Sequence, residues 1–303
     1  MKKFSLILLF PVLMVSPFGN PEIGKAESNP SDSLSNTLLW KISGKNLQRP
    51  SYLFGTMHVL CEQDAHLSDS LKSVISRCDE VFFEINLDDM MGMVQSLKYM
   101  RMMDNRKLSD LLDSGDYHKV RNYFDRQGSI LPFTMLERFK PLLISSLIEE
   151  DGLDCKVTNG MELVIQKEAH QRAKKINGLE TAEFQASLFD SIPYEQQAKD
   201  LVNYIDSMDY YKKSTLQLVE VYRNQDLDKI DSLTRAGEAG MSNYIDLLLF
   251  GRNRKWVDSL QNILPSRSVL VAVGAGHLPG EQGLISLLRK KGYAVSPVRN
   301  LNR

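Results

Sequence analysis

The chain has 303 residues, of which 43% are hydrophobic and 25% are charged, a composition typical of globular proteins. Its 37 basic and 38 acidic residues give a formal net charge of −1. This balance provides no field that would attract nucleic acid or an anionic membrane surface, so neither partner is expected. Three cysteines are too few for a disulfide scaffold, and they include no CxxC pair typical of a structural zinc site.

Residues 1–26 are predicted to be a secretory signal peptide. Two lysines precede a run over 4–18 that is almost entirely apolar, is interrupted by prolines and is too short to span a bilayer. Small residues suit cleavage after Ala26, which predicts a periplasmic or secreted protein. Residues 27–37 are rich in Ser, Asn and Pro and are predicted to form a loose leader. No later stretch of about 18 apolar residues follows, so no transmembrane helix is predicted in the mature chain.

Residues 38–303 are predicted to form one α/β domain around a mixed, largely parallel sheet. An apolar strand, a stretch of helical period and a second apolar strand form a βαβ unit at the start of this domain. The same order recurs near the end of the chain, and the residues between the units, about 88–250, are predicted to be a mainly helical insertion. The predicted strands are 38–42, 52–54, 80–85, 268–273 and 293–298, with a short strand or loop at 176–180.

Both predicted βαβ units carry the sequence Gly-x-x-His directly after their first strand, at 55–58 and 274–277. In parallel sheets, ligands lie beyond the carboxyl ends of the strands, so His58 and His277 are candidate ligands of a divalent metal. The alternative is two ordinary loop histidines. Because loop corners make few core contacts, alanine at either position is expected to leave the stability of the metal-free protein nearly unchanged.

Two glutamates and one arginine are the other candidate site residues. Glu84 lies near the end of an apolar strand, where it could bind a metal, act as a general base or pair with a Lys or Arg. Glu180 ends a short apolar stretch and is a second candidate base, or a carboxylate stabilised by a helix N-terminus. Arg252 falls on an apolar helical stripe between Leu249 and Trp256. Its charge therefore either has a buried carboxylate partner or extends to water.

These residues lie in motifs that resemble the TraB/PrgY/GumN family, which includes the TIKI proteases. The resemblance covers nearly the whole mature chain in order. One departure is Gly251, where many relatives have Glu before Arg-Asn, so no carboxylate role carries over to that position. The matching motifs are LW at 39–40 with YLFGTMH at 52–58, VFFEI at 81–85, GLET at 178–181 with Gln185 and FDSIP at 189–193, RN at 252–253 with Trp256, and VGAGHLPG at 273–280.

The resemblance implies an α/β fold shared with erythromycin esterase-like and ChaN-like proteins. It also implies a divalent-metal-dependent peptidase activity, as in the TIKI branch. From the types of ligand, the candidate metals are Mn, Co and Zn, and the choice among them is left open. Carried over by position, the motif histidines are His58 and His277, and Glu84 is their acidic partner. Glu180 and Arg252 match further motif positions of the family.

The resulting prediction is a divalent-metal-dependent hydrolase, specifically a peptidase, that acts on an extracytoplasmic peptide or protein. The predicted metal ligands are His58, Glu84 and His277, and the predicted catalytic residues are Glu84, Glu180 and Arg252. One alternative is a non-catalytic protein that binds a peptide or haem in the same pocket. Another is a metal-independent hydrolase with a histidine base. No oligomeric state is assigned.

One disulfide is predicted, between Cys61 and Cys155. Export from the cytoplasm permits such a bond. Cys61 follows the first Gly-x-x-His sequence, and Cys155 lies in a Gly- and Asp-containing loop that could cover it. Cys78 ends a predicted helix just before a buried strand and is expected to be a free core residue.

Overall fold

A computed structural model of the protein describes residues 36–127, 131–149, 153, 155, 158–235 and 244–300. The predicted signal peptide and residues 27–35 of the predicted leader lie outside the described residues. Within the described ranges, no helix is long and apolar enough to cross a membrane.

Six strands form one mixed sheet, in the order β6-β4-β7-β2-β1-β8, and β3 and β5 form a separate antiparallel pair. In the larger sheet β1 is antiparallel to both of its neighbours, and every other adjacent pair is parallel. The predicted α/β fold with a mixed, largely parallel sheet is therefore confirmed. The strands are β1 Leu39–Ser43, β2 Ser51–Thr56, β3 Leu60–Cys61, β4 Glu80–Ile85, β5 Thr158–Asn159, β6 Lys175–Glu180, β7 Val269–Gly274 and β8 Ala294–Pro297.

The two ends of the chain interleave in this sheet. Strand β7 lies between β2 and β4, so the strands of the first βαβ unit are not neighbours. Every residue of β2 is buried, and so is all of β7 except its last residue, which explains their continuous apolar sequences. The edge strand β6 comes from within residues 88–250, so this mainly helical stretch also contributes to the sheet.

Twelve α-helices occur among the described residues, and they pack into two apolar clusters. One cluster surrounds the sheet, and the other lies mainly among α3, α4, α5 and α8. Lys140 is fully buried and directly precedes α5. Its Nζ donates to Ala186 O in α7 at 2.7 Å. The helices are α1 Asp69–Arg77, α2 Met90–Ser96, α3 Ser114–Gln127, α4 Phe133–Leu136, α5 Pro141–Glu149, α6 Met161–Gln171, α7 Ala182–Leu188, α8 Tyr194–Asp206, α9 Met208–Arg223, α10 Leu227–Arg235, α11 Gly251–Ile263 and α12 Leu284–Lys290.

The predicted disulfide is present. Cys61 and Cys155 are bonded, with their Cα atoms 5.8 Å apart, and Cys78 is a free, buried cysteine. Cys61 also belongs to β3, which pairs with β5. The disulfide and this strand pair together join the segment after β2 to the segment before α6. They hold the loop that carries His58 close to the start of α6.

We predict that the double variant Cys61→Ser/Cys155→Ser folds with a free energy of unfolding lowered by about 4 to 5 kcal/mol. The reason is that the disulfide closes a long loop and restricts the unfolded chain. Urea denaturation of the variant and the oxidised protein measures the difference. Cys78→Ala is the control, because it leaves the disulfide in place. Equal stability of the double variant and the parent protein would contradict the prediction.

Candidate functional site

Four parallel strands bring the candidate residues to one edge of the sheet. Strands β6, β4, β7 and β2 are neighbours in that order and run in the same direction, so their carboxyl ends share an edge. Glu84 lies in β4 and Glu180 ends β6. His58 follows β2, and His277 ends a short 3₁₀ turn after β7. The side chains placed at strand ends from the sequence thus belong to one edge.

Arg252 is a buried cation at the centre of this edge. It lies in α11, and its side chain is only 8% exposed. Its Nη2 donates to Glu84 Oε2 at 2.5 Å and to Glu180 Oε1 at 2.6 Å. Its Nε also donates to Glu180 Oε1, at 2.9 Å. Its Nη1 donates to Leu248 O at 2.8 Å and contacts His277 Nε2 at 3.3 Å. All five guanidinium N–H groups therefore have an acceptor, and the charge is fully paired.

Uncharged donors also bind the oxygens of both glutamates. Glu84 Oε1 accepts from the backbone N–H of Gly274 at 2.9 Å, and Glu180 Oε2 accepts from Trp256 Nε1 at 3.0 Å. Gln185 bridges the two carboxylates, because its Nε2 donates to Glu84 Oε2 at 3.0 Å and to Glu180 Oε1 at 2.6 Å. All four carboxylate oxygens thus accept at least one hydrogen bond.

The pKa values of the two carboxyl groups move in opposite directions. Burial alone would raise the pKa of Glu84, but the charge of Arg252 holds it well below its usual range, together with His277 in its protonated form and His58. Burial, helped by the charge of Glu84, raises the pKa of Glu180 against the opposing effect of Arg252. Glu84 is therefore the carboxylate that stays ionised, and Glu180 is the one closer to taking up a proton.

His277 is a neutral, buried imidazole. Asn253 Nδ2 donates to Gln282 O at 2.8 Å, which turns Asn253 Oδ1 toward His277 Nδ1 at 2.6 Å. We therefore assign the proton to Nδ1 and the lone pair to Nε2. The Nε2 atom lies 3.6 Å from Glu84 Oε1. Burial lowers the pKa of His277 to about 3, against the attraction of Glu84.

His58 has a carboxylate partner that sequence reasoning missed. Its Nδ1 lies 2.7 Å from Oε1 of Glu162, in the first turn of α6, and the Glu162 side chain is 9% exposed. Glu162 Oε1 has no aligned hydrogen-bond donor, so this contact is a close ion pair. Burial opposes the charged form of His58, but the charges of Glu162 and Glu84 outweigh it and raise the pKa to about 9. At neutral pH His58 therefore carries a positive charge.

Two glycines permit the close approach of these groups. A Cβ atom on Gly274 would lie 3.3 Å from Glu84 Oε1, 3.6 Å from His277 Cδ2 and 3.7 Å from His58 Nε2. The three side chains thus face the same point beside the backbone of Gly274. A Cβ atom on Gly160 would lie 2.5 Å from the carbonyl oxygen of His58, so a side chain there would clash. Glycine at this position lets the start of α6 pack directly on the His58 loop.

The expected tolerance of alanine at the two histidines does not fit these surroundings. His277 is 4% exposed, and its ring packs against Trp256 with centroids 4.5 Å apart. His58 neutralises the buried carboxylate of Glu162. Neither imidazole lies at an exposed loop corner, so alanine would leave a cavity at one position and an unpaired charge at the other.

Four further residues complete the site, and sequence reasoning gave none of them a role. Only Gln185 had a usable signal, because it lies among the buried residues Ala182, Ala186 and Leu188 of α7, where a polar side chain needs a partner. The partner of His58 is remote in sequence, and no local pattern connects the two residues. The four are Glu162, Gln185, Asn253 and Trp256.

The donors near Gly274 fit a divalent metal by their chemistry. Two imidazole nitrogens and a carboxylate are common metal ligands. Each histidine also has its Nδ1 held by an oxygen atom, from Glu162 or Asn253, and this is the usual support of a metal-binding histidine. Within the described ranges, however, no group of three or more His, Cys, Asp and Glu residues is arranged to hold a metal ion. Side-chain movement is therefore required before the three donors can share one ion.

Fold and site together define an α/β protein with a buried, ion-paired polar site at the carboxyl edge of its parallel strands. A sequence model of the TraB/PrgY/gumN family matches residues 38–297, and the chain belongs to this family. No solved structure matches the chain, so the expected relation to erythromycin esterase-like and ChaN-like folds stays a prediction.

Curated relatives carry the name metalloprotease. The chain is 24% identical to the metalloprotease TIKI homolog of Amphimedon queenslandica, over 96% of the chain and 67% of that protein. It is 24% identical to metalloprotease TIKI2 of Danio rerio, over 86% of the chain and 60% of that protein. It is 22% identical to metalloprotease TIKI1 of Homo sapiens, over 95% of the chain and 67% of that protein. The chain thus spans 60% to 67% of the length of these relatives.

We predict that Arg252→Met lowers the free energy of unfolding by about 3 to 5 kcal/mol, because it leaves two buried carboxylates without their cation. Urea denaturation measures this change. Adding Glu84→Gln and Glu180→Gln to the variant should recover part of the loss, because the unpaired charges are then removed.

Arg254→Met is the matched control for this prediction. Arg254 lies on the same helix and pairs with Asp246, but its side chain is 47% exposed. Exposed pairs contribute about 0 to 1 kcal/mol, so the control should be nearly as stable as the parent protein. Equal losses in the Arg252 and Arg254 variants would contradict the central role of the buried pair.

Proposed function

We propose that the protein is a divalent-metal-dependent hydrolase that cleaves peptide bonds. The observation that carries the proposal is the matched support of the two motif histidines. In each, Nδ1 faces an oxygen atom of a buried side chain, and the opposite ring edge faces Gly274. Nε2 of His277 contacts Arg252 Nη1 and would exchange that contact for a ligand. His58, His277 and Glu84 are the proposed metal ligands.

When bound, a divalent metal supplies Lewis-acid polarisation of a carbonyl group and a water activated for attack near neutral pH. Glu84 suits the role of ligand because its pKa is held low and it stays ionised. Glu180 suits the role of general base because burial raises its pKa toward the range in which a carboxylate takes up a proton. Arg252 binds both carboxylates and so fixes their orientation.

The substrate class and the location are also part of the proposal. The printed names of the relatives describe metalloproteases, which supports a peptide or protein as the substrate. A disulfide such as Cys61–Cys155 persists in oxidising compartments, which supports action in the periplasm or outside the cell. The predicted signal peptide, residues 1–26, would direct the chain there.

One observation favours a metal-independent hydrolase as the second candidate. Arg252 Nη1 already contacts His277 Nε2 at 3.3 Å, so this nitrogen has a partner within the chain. A peptide library incubated with the purified protein separates the candidates. Cleavage that requires Mn²⁺ or Co²⁺ and stops with a chelator supports the metal enzyme. Cleavage that continues in chelator supports the metal-independent one, and a library that is bound but not cleaved supports a binding protein.

We predict that His58→Asn and His277→Asn each abolish peptide cleavage and greatly reduce metal-induced stabilisation. Asparagine can keep a donor near the position of Nδ1 but has no equivalent of Nε2. The oxygen of Asn253 or Glu162 therefore keeps a donor, although Glu162 loses the positive charge of His58, so each variant is compared with itself with and without metal. At a metal concentration of 100 Kd the parent protein should gain about 2.7 kcal/mol of stability. A variant with a 100-fold higher Kd should gain only about 0.4 kcal/mol. Thermal denaturation with and without Mn²⁺ measures this gain.

His118→Ala is the control for the histidine variants, because His118 is exposed on α3. It should keep both the cleavage and the stabilisation by metal. The proposed ligand set is wrong if either asparagine variant keeps the full metal-induced gain, whatever happens to its activity.

A further inference from the structure

Gln185 has an amide group whose orientation is fixed by its neighbours. Its Nε2 donates to Glu84 Oε2 at 3.0 Å and to Glu180 Oε1 at 2.6 Å. An amide rotated by 180° would place its oxygen against these two carboxylate oxygens, where no proton is available. The assignment of nitrogen and oxygen therefore follows from the hydrogen bonds.

The other end of this amide is a buried acceptor with no donor. Gln185 is 1% exposed, and its Oε1 accepts no hydrogen bond from any of the residues that the structure describes. Buried side-chain acceptors almost always have a partner, so an unpaired one in a polar site needs an explanation.

Gln197 shows how this protein satisfies a glutamine that has only a structural role. It is also fully buried, in α8. Its Nε2 donates to Phe189 O at 2.7 Å and to Ile192 O at 2.8 Å, and its Oε1 accepts from Leu142 N at 3.2 Å. Both ends of the Gln197 amide are therefore paired, whereas Gln185 has only its nitrogen paired.

The neighbouring acceptors of the site are already in use. Glu84 accepts from Gly274 N, Arg252 and Gln185, and Glu180 accepts from Arg252, Gln185 and Trp256. Among the side-chain oxygens of Glu84, Glu180 and Gln185, only Gln185 Oε1 has no donor from the described residues. This atom is enclosed, so a ligand that brings a hydrogen-bond donor to the cluster would pair with it once the enclosing side chains move aside.

We propose that Gln185 Oε1 is a substrate-binding acceptor that receives a backbone N–H of a peptide. This inference rests on the proposed function, because a peptide is the substrate considered. A peptide backbone presents N–H donors and carbonyl acceptors in alternation. Within the Arg252 cluster, Gln185 Oε1 provides the uncharged acceptor for one of these donors. Gln185 would thereby select amides over analogues that lack the N–H group.

The test is a series of ester analogues. A peptide selected from a random library by binding to the parent protein is resynthesised with each backbone N–H replaced in turn by an ester oxygen. The Kd of every analogue is measured in chelator, so that hydrolysis does not interfere, and cleavage is measured separately with Mn²⁺. We expect one position at which the parent protein binds the ester at least about tenfold more weakly than the amide.

Gln185→Met should lose this discrimination. Methionine has a similar length and no acceptor that matches the amide oxygen, so the ester and the amide should bind alike at that position. The ratio of the two Kd values is the readout, because it cancels any general loss of affinity from the missing bonds to Glu84 and Glu180. Gln185→Asn has a side chain one methylene shorter, so its carbonyl group lies farther from the ligand. It serves the same purpose if the methionine variant does not fold. Gln197→Met is the control and should keep the discrimination of the parent protein.

The outcomes separate this inference from the proposed function. Peptide cleavage with an equal ester profile in the parent protein and the Gln185 variants overturns the inference and leaves the proposed function in place. Binding without cleavage, with discrimination that depends on Gln185, supports the inference and overturns the proposed function. A parent protein that neither binds nor cleaves any member of the library overturns both.

Discussion

The structure at the carboxyl edge of the sheet depends on one buried cation between two buried carboxylates. Arg252 binds Glu84 and Glu180, and all three side chains are at most 10% exposed. Removing such charges from water is costly, and the cost is offset only where geometry and hydrogen bonding are nearly complete. That condition explains the surrounding residues. Trp256, Gln185 and the backbone of Gly274 each donate to a carboxylate oxygen that Arg252 alone would leave incompletely bound. The pair also joins distant parts of the chain, because its members come from β4, β6 and α11.

The local part of this arrangement could be predicted from the sequence. Continuous apolar runs identify β2, β4 and β7, and the Gly-x-x-His sequences place the two histidines at strand ends. An arginine on an apolar helical stripe predicts a buried anion, and Arg252 has two. Strand order could not be read in this way, because the insertion of β7 between β2 and β4 depends on contacts between the ends of the chain. For the same reason Glu162 was missed, since its role depends on a strand pair and a disulfide that join remote segments.

The repeated motif has two different electrostatic environments. His58 faces the carboxylate of Glu162, and its pKa is raised to about 9. His277 faces the uncharged Asn253 and lies beside Arg252, and its pKa is lowered to about 3. Identical motifs at equivalent strand ends therefore give one charged and one neutral imidazole at neutral pH. Both histidines keep Nε2 on the side of Glu84, so the difference lies in the partner of Nδ1. Protonation of the two histidines is thus set by residues outside the two Gly-x-x-His sequences.

These two partners belong to separate supports. Asn253 follows Arg252 on α11, so one helix carries the central cation and the residue that fixes the tautomer of His277. Glu162 begins α6, and the disulfide and the β3–β5 pair hold its segment against the His58 loop. Arg252 lies on the His277 side and already contacts both carboxylates. His58 has its own counter-ion, Glu162. It faces the cluster across the space beside Gly274 and interacts with Glu84 through charge. A ligand that contacts both histidines would therefore connect these two supports, and its binding would depend on the rigidity of each.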